Sequence, residues 1–308
     1  MANLPEERAG VADVDLSGST ALVTGSTSGI GRVAARSLAR LGADVIVHGR
    51  DASAGTALAE ELRKMGSDAR FVRADFSDAE AVRALADSTR AAFDSLDILC
   101  NNAGGYFGSG RLTGLGVEYT FHVNHLSPYL LSAELLDHMA PGGRIVTTAS
   151  EAHRGATLDL DAVTSVDDYS SFGAYGRSKL ANVQFAMELA RRLDRTDREV
   201  VSNALHPGAI PGSGFTRFLP GPLSGLARRL DGLPFVTSVD EGGAALVRLA
   251  AAPELGDVSG RYFTKQDPGT PTEDARDPEA QRTLWKRSAE FLDIPVPLAG
   301  VDSTDHGE

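Results

Sequence analysis

One cysteine, Cys100, stands alone in 308 residues, so the chain can close no internal disulfide and reads as a protein of a reducing compartment. Basic residues are in deficit: 30 Lys and Arg face 42 Asp and Glu, a formal net charge of -12. A surface of that sign repels phosphate backbones and anionic bilayers, which argues against a nucleic-acid or membrane partner. No apolar run approaches the roughly 20 residues that cross a bilayer. The first fifteen residues carry Glu6 and Glu7 and no apolar stretch, unlike a signal peptide. A cytoplasmic location is the expectation from these absences. A metal motif is missing too: His122, His125, His138 and His153 have no clustered cysteines or converging carboxylates beside them, so no metal is expected. What the chain does have is apolar side chain, 42% of residues, enough to build a large core.

Short runs rich in β-branched residues, at 20–24, 44–48, 69–73, 96–100, 144–150, 200–206 and 261–264, alternate with helical patterns. Between the first two runs Ile30, Val33, Ala34, Leu38 and Leu41 recur at the spacing of a helix lying on a sheet. The alternation predicts an α/β chain with a doubly wound parallel sheet, its strand C-termini gathered on one ligand-binding edge. A single domain over residues 16–296 is expected, with a flexible extension at 1–15 and a flexible acidic tail at 297–308.

Directly after the first strand comes Thr24-Gly25-Ser26-Thr27-Ser28-Gly29-Ile30-Gly31. Glycines there let the backbone turn sharply and approach a pyrophosphate, and the following helix start offers N–H groups and positive dipole to an anion. A phosphate loop of the Gly-x-x-x-x-Gly-Lys-Ser/Thr kind fits worse, because Arg32 and Val33 follow Gly31. A methyltransferase could share the turn but would not require the pair described next.

Tyr175 and Lys179 lie four residues apart, one turn apart on a helix face. A phenol of pKa about 10 is a poor base at neutral pH. A unit charge ~4 Å away at an effective dielectric of ~20 is worth about 4 kcal/mol, or about three pKa units, before desolvation is counted. That brings the phenol within reach of general acid/base work. Ser150 ends a buried strand and can donate to a carbonyl oxygen, although a serine there is equally a helix cap. Asn102-Ala103-Gly104 follows the fourth strand and lets backbone pass close to a ligand, while Asn124 falls inside a helix, where asparagine is more often structural.

The Gly25, Gly29, Gly31 spacing and the order Asn124, Ser150, Tyr175, Lys179 resemble the short-chain dehydrogenase/reductase family over residues 15–294. The resemblance implies a Rossmann-type fold and hydride exchange between a nicotinamide and an alcohol/carbonyl pair. It implies that Tyr175 exchanges the proton, Ser150 orients the substrate oxygen, Lys179 binds the ribose and tunes Tyr175, and Asn124 holds a relay water. It further implies cofactor contacts from the Gly-rich turn, Asp75 and Phe76 at the adenine, and Pro207, Gly208 and Ile210 near the nicotinamide. The Ser150-to-Tyr175 spacing, Asn124-His125-Leu126, Ser178-Lys179-Leu180-Ala181-Asn182, Gly260-Arg261-Tyr262-Phe263 and Leu284-Trp285 resemble the retinol-dehydrogenase-like branch. Two positions depart from the family pattern: Gly212 stands where Thr is frequent, with Thr216 as a substitute, and Ala149 replaces a frequent serine.

An NAD site places Asp or Glu at the end of the second strand. Gly49 stands there with Arg50 next, which favours NADP(H) while leaving NAD(H) open. The competing functions are an epimerising or non-redox reaction on the same cofactor, and a cofactor-binding regulator without turnover. Substrate walls are expected from Tyr106, Phe107, Tyr169, Phe172, Phe215 and Phe218, which suit a bulky hydrophobic carbonyl or alcohol. Apolar stripes on the helices near 117–139 and 174–193, including Leu180, Val183, Met187 and Ala190, suggest a homodimer unless the chain covers them itself.

Overall fold

The computed structural model describes residues 3–210 and 237–300. Strands β1 (Thr20–Val23), β2 (Asp44–Gly49), β3 (Arg70–Arg73), β4 (Leu96–Asn101), β5 (Met139–Thr148), β6 (Val200–His206), β7 (Tyr262–Thr264) and β8 (Asp267–Gly269) form one sheet. Their order is β3-β2-β1-β4-β5-β6-β7-β8, with all neighbours parallel except β7 and β8. The seven expected strands are present. β8 was not expected, because Asp267-Pro268-Gly269 has the composition of a turn. The expected Rossmann-type, doubly wound fold is therefore the observed one.

The helices are α1 (Pro5–Arg8), α2 (Gly29–Arg40), α3 (Ala52–Lys64), α4 (Ala79–Ala92), α5 (Tyr119–Phe121), α6 (Ser127–Leu135), α7 (Ser171–Leu193), α8 (Val239–Ala251), α9 (Glu273–Arg276) and α10 (Pro278–Phe291). A π-helical turn, His122–Leu126, joins α5 to α6. Side chains alternate along each strand, so both sheet faces need cover. Ala21, Val23, Val45 and Val47 pack with Leu38 of α2, Leu58 and Leu62 of α3 and Leu246 of α8. Leu22 and Ile46 face the other layer, with Leu85 of α4, Leu130 of α6 and Phe185 of α7. From β1 the chain winds outward to β2 and β3, then returns to place β4 on the other side of β1. That reversal opens a crevice at the C-terminal ends of β1 and β4. No described helix is long and apolar enough to cross a membrane.

Two expectations are corrected here. Residues 3–11, expected to fray, pack onto the fold: Ala9 and Val11 are buried, the Glu6 carboxylate accepts from Ser37 Oγ at 2.8 Å and Arg40 Nε at 2.5 Å, and Arg248 Nη1 donates to Ala9 O at 3.0 Å. The start of the tail is tied as well, since Trp285 Nε1 donates to Pro297 O and Arg192 Nη1 to Leu298 O. On α7, Leu180 and Val183 pack within the chain against Ala149, Ala204, Tyr262 and Ala275, while α10 covers the aromatic side chains of α6 and α7. Trp285 stacks on Phe185 with centroids 5.9 Å apart, Tyr129 Oη donates to Trp285 O at 2.9 Å, and His125 Nε2 pairs with Ser288 Oγ at 2.8 Å. Gly212, Phe215, Thr216 and Phe218 lie outside the described residues.

Candidate active site

The Gly-rich turn is held from both neighbouring strands. Thr24 Oγ1 donates to Cys100 O at 3.0 Å and accepts from the amides of Asn102 and Ala103, each at 2.9 Å. Asn102 Nδ2 returns to Thr24 O at 2.9 Å. The end of β1 is thus laced to the end of β4, and at Gly25 and Gly31 the turn has no room for a side chain. Gly25, at φ +66°, would bring a Cβ within 2.8 Å of Ala103 Cα. At Gly31 a Cβ would meet Asn102 Nδ2 at 2.5 Å and Gly25 O at 2.7 Å. Thr27, Ser28, Gly29 and Ile30 line the crevice at the start of α2. Ser26 is instead buried beneath it, bonded through its Oγ to the amide of His48 at 3.0 Å.

His48 was not picked out from the sequence. Its Nδ1 accepts the Gly25 amide at 3.2 Å and its Nε2 donates to Ala74 O at 3.3 Å, while its ring stacks on Phe76 at 4.6 Å. Burial pushes its pKa down to about 4, so the ring is neutral and works as a strut between the turn and the end of β3. The one sequence signal was a polar ring in a β-branched run, where every other residue is buried. The neighbouring Gly49 has its own steric reason: a Cβ there would lie 2.5 Å from Thr27 Cγ2. A carboxylate at that position would displace the turn. Arg50 lies beyond it, exposed at the crevice rim, with Nη1 donating to Tyr119 Oη at 3.4 Å. Asp75 also lines the crevice, its Oδ1 accepting from the amide and hydroxyl of Ser77, with Phe76 buried beside it.

At the other end, Ser150, Tyr175 and Lys179 meet in the same crevice, with Asn102, Ala103, Gly104, Pro207, Gly208 and Ile210 along its walls. Tyr175 and Ser150 are hydrogen-bonded through their hydroxyls. Burial raises the Tyr175 pKa above its ordinary value, and the Ser150 bond offsets only part of that. The sequence argument for a lowered phenol pKa is therefore corrected. Lys179 donates from Nζ to Thr148 O at 2.9 Å, with Nζ 5.7 Å from the Tyr175 ring centre. Burial lowers its own pKa to about 8, which leaves the ammonium as the main species at neutral pH. Asn124 sits behind the wall, where the π-helical turn aims it. Its amide exchanges two 2.9 Å bonds with the backbone of Gly105, and Nδ2 donates to Ser178 Oγ at 2.9 Å. A π-turn at such a place is common at functional sites.

Tyr106 and Phe107 line the crevice beside Tyr175, and the Tyr106 and Tyr175 rings meet edge-on at 5.9 Å. Tyr169 is a prop rather than a wall, its Oη donating to Phe107 O at 2.7 Å. Phe172 is 58% exposed and does not line the crevice. The crevice encloses about 410 Å³, within the ordinary range of small-molecule and cofactor sites. One end offers an anion-binding turn, and the other offers two coupled hydroxyls beside a buried ammonium.

Residues 19–218 match the short chain dehydrogenase family. A Streptomyces sp. (strain C5) protein named as a daunorubicin C-13 ketoreductase is 36% identical over 288 residues, 93% of this chain and 96% of the relative. Retinol dehydrogenase 14 of Mus musculus is 35% identical, covering 90% of this chain and 86% of its own. A short chain dehydrogenase from Burkholderia cenocepacia J2315, solved in complex with NADP, superposes with a TM-score of 0.66 at 30% identity, over 82% of this chain and 98% of that one.

Proposed function

The chain belongs to the short-chain dehydrogenase family, on its retinol-dehydrogenase-like branch, and we propose that it is an NADP(H)-dependent reductase of bulky hydrophobic ketones or aldehydes. The carrying observation is the hydrogen-bonded Ser150–Tyr175 pair beside Lys179, in one crevice with the Gly25–Gly31 turn. Bound NADPH supplies a hydride to the carbonyl carbon. Tyr175 gives its proton to the oxygen that becomes the alcohol, and its raised pKa keeps that proton in place at neutral pH. Ser150 holds the same oxygen by its hydroxyl, strengthening the bond as negative charge grows there. Lys179, anchored on Thr148 O, stays cationic and would hold the ribose hydroxyls of the bound nucleotide. Asn124 keeps Gly105 and the wall that begins there in place. Gly25 and Gly31 let the turn close against Ala103 and Asn102, which leaves a tight turn at the start of α2 that suits a dinucleotide's pyrophosphate.

The lack of room at Gly49, with Arg50 at the rim, supports the 2′-phosphate form of the cofactor. Arg50→Ala is expected to raise KM for NADPH about tenfold, as loss of a charge-assisted contact does, and to leave KM for NADH unchanged. Steady-state kinetics with both cofactors check it, and an unaltered ratio of the two constants removes Arg50 from the site. Tyr106 and Phe107 form an apolar approach to Tyr175, and daunorubicin and retinol, for which two relatives are named, are both bulky. A panel of polycyclic quinones, aromatic ketones and isoprenoid aldehydes, followed by NADPH absorbance, tests the reading. Equal moles of alcohol and NADP⁺ support it, whereas product without net cofactor consumption indicates epimerisation and defeats it.

A further inference from the structure

Two histidines grip the peptide bond that follows the catalytic serine. Ser150 closes the strand end and caps a short helical turn, Glu151–Gly155, with its Oγ accepting from Ala152 N at 3.3 Å. The carbonyl of Ser150 accepts from His153 Nδ1 at 2.7 Å. The amide on the other side of the same peptide, that of Glu151, donates to His206 Nδ1 at 3.2 Å. Both rings are buried, His153 fully and His206 to 8% exposure. His206 ends β6 immediately before Pro207 and Gly208, so the bond also ties together the two strand ends that flank Tyr175.

We propose that His153 and His206 are positioning residues that clamp the Ser150–Glu151 peptide plane and thereby aim the Ser150 hydroxyl at the substrate oxygen. This rests on the carbonyl-reductase reading of the site. The clamp demands opposite neutral tautomers. His153 must carry its proton on Nδ1 to donate to the carbonyl, and its Nε2 finds no partner among the described residues. His206 must keep Nδ1 bare and carry its proton on Nε2, which lies 3.8 Å from the Glu151 carboxylate. Protonating His206 puts the ring's second hydrogen on Nδ1, facing the Glu151 amide, and opens the clamp.

The charged and titratable groups facing His206 are Glu151, His153 and Arg154 from the helical turn and Lys265 from the β7–β8 connection. Burial lowers the His206 pKa, Glu151 opposes that, and the other three add to the lowering. The clamp is therefore closed at neutral pH and opens as the pH falls below the ordinary histidine value of about 6.5.

Nitrogen-15 imidazole spectra of the full chain, assigned with His153→Asn and His206→Asn, read the tautomers without any turnover. The expected result is Nδ1–H at His153 and Nε2–H at His206 at neutral pH. The same tautomer at both, or a proton on His206 Nδ1, overturns the proposal. Kinetics with NADPH and phenanthrenequinone supply the second readout. His206→Leu is expected to lose about 10-fold or more in kcat, the scale of a misplaced catalytic group, with KM for NADPH unchanged. His206→Asn keeps an acceptor oxygen near the Nδ1 position, so it should recover most of that loss and abolish the acid limb of the pH profile. Wild-type kcat in His206→Leu, or an acid limb unchanged in His206→Asn, defeats the clamp. Correct tautomers in a protein that reduces none of the carbonyls defeat the functional reading instead.

Discussion

Replacing Tyr175 by Phe is expected to lower kcat for carbonyl reduction at least ~10²-fold, the usual contribution of a positioned proton donor, while NADPH still binds. The substitution removes one oxygen and keeps the ring that packs edge-on to Tyr106. Ser150 and Lys179 keep their other anchors, Ala152 N and Thr148 O, so the crevice should hold its shape. What is lost is the proton that neutralises the new alkoxide. The lost oxygen also leaves the Ser150 hydroxyl without the partner that holds it toward the reacting atom. Stopped-flow turnover and fluorescence titration with NADPH separate the two effects. A folded variant that turns over at the wild-type rate would remove Tyr175 from the chemistry. Because Tyr175 holds its proton at neutral pH, its part in wild-type reduction should be lost on the alkaline side as the phenol ionises, separately from the acid limb set by His206, while the reverse oxidation gains at alkaline pH.

Gly31→Ala is the second large effect. The added methyl would sit 2.5 Å from Asn102 Nδ2 and 2.7 Å from Gly25 O. Asn102 cannot swing aside without abandoning Thr24 O, and Gly25 O belongs to the backbone of the anion turn itself. Either α2 slides away or the turn opens, and overpacking of this kind costs about 1–3 kcal/mol. Both routes displace the amides meant for the pyrophosphate, so NADPH affinity should fall about tenfold or more, each tenfold being about 1.4 kcal/mol. Gly29→Ala is the control. Nothing lies within 4 Å of its added Cβ, and the substitution suffers only from the left-handed φ of +57°, worth about 1–2 kcal/mol of stability. Thermal unfolding and NADPH titration of both variants decide the matter. Gly31→Ala binding as tightly as the wild type would show that the turn is not the phosphate site.

Periodicity and order carried much of this fold. Alternating β-branched runs and amphipathic stripes placed seven strands, and the Gly25-to-Gly31 turn was recognisable because it falls between a strand and a helix. Tyr175 and Lys179 stood out only because their helical spacing came with Ser150 upstream and the Gly-rich turn. Their electrostatics were not legible, because spacing along a helix says nothing of where a long side chain ends. Lys179 turns to Thr148 O, a carbonyl that any residue in that strand would offer. His48 was hidden for a related reason, since its work depends on Gly25 and Ala74 being brought to either side of it by the winding of three strands. Residues 3–11 looked disordered because their partners, Arg40 and Arg248, are remote in sequence. Internal cover of α7 was an open alternative in the sequence, undecided there because α10, which carries Trp285 onto Phe185, is remote along the chain.

That cover has a consequence for how the chain comes into being. Tyr129 waits for Trp285, 156 residues later, and His125 for Ser288, 163 residues later. Synthesis runs from the N-terminus, and segments fold as they emerge. The half of the sheet built from β1 to β4 can therefore pack early, while Tyr129 and Phe185 stay bare until α10 has left the ribosome. The helix that presents Tyr175 and Lys179 is thus the last to be enclosed. A ribosome that stalls before Pro278 would release a chain that already has its nucleotide half and still carries an uncovered aromatic face, the kind of surface that chaperones hold and proteases find.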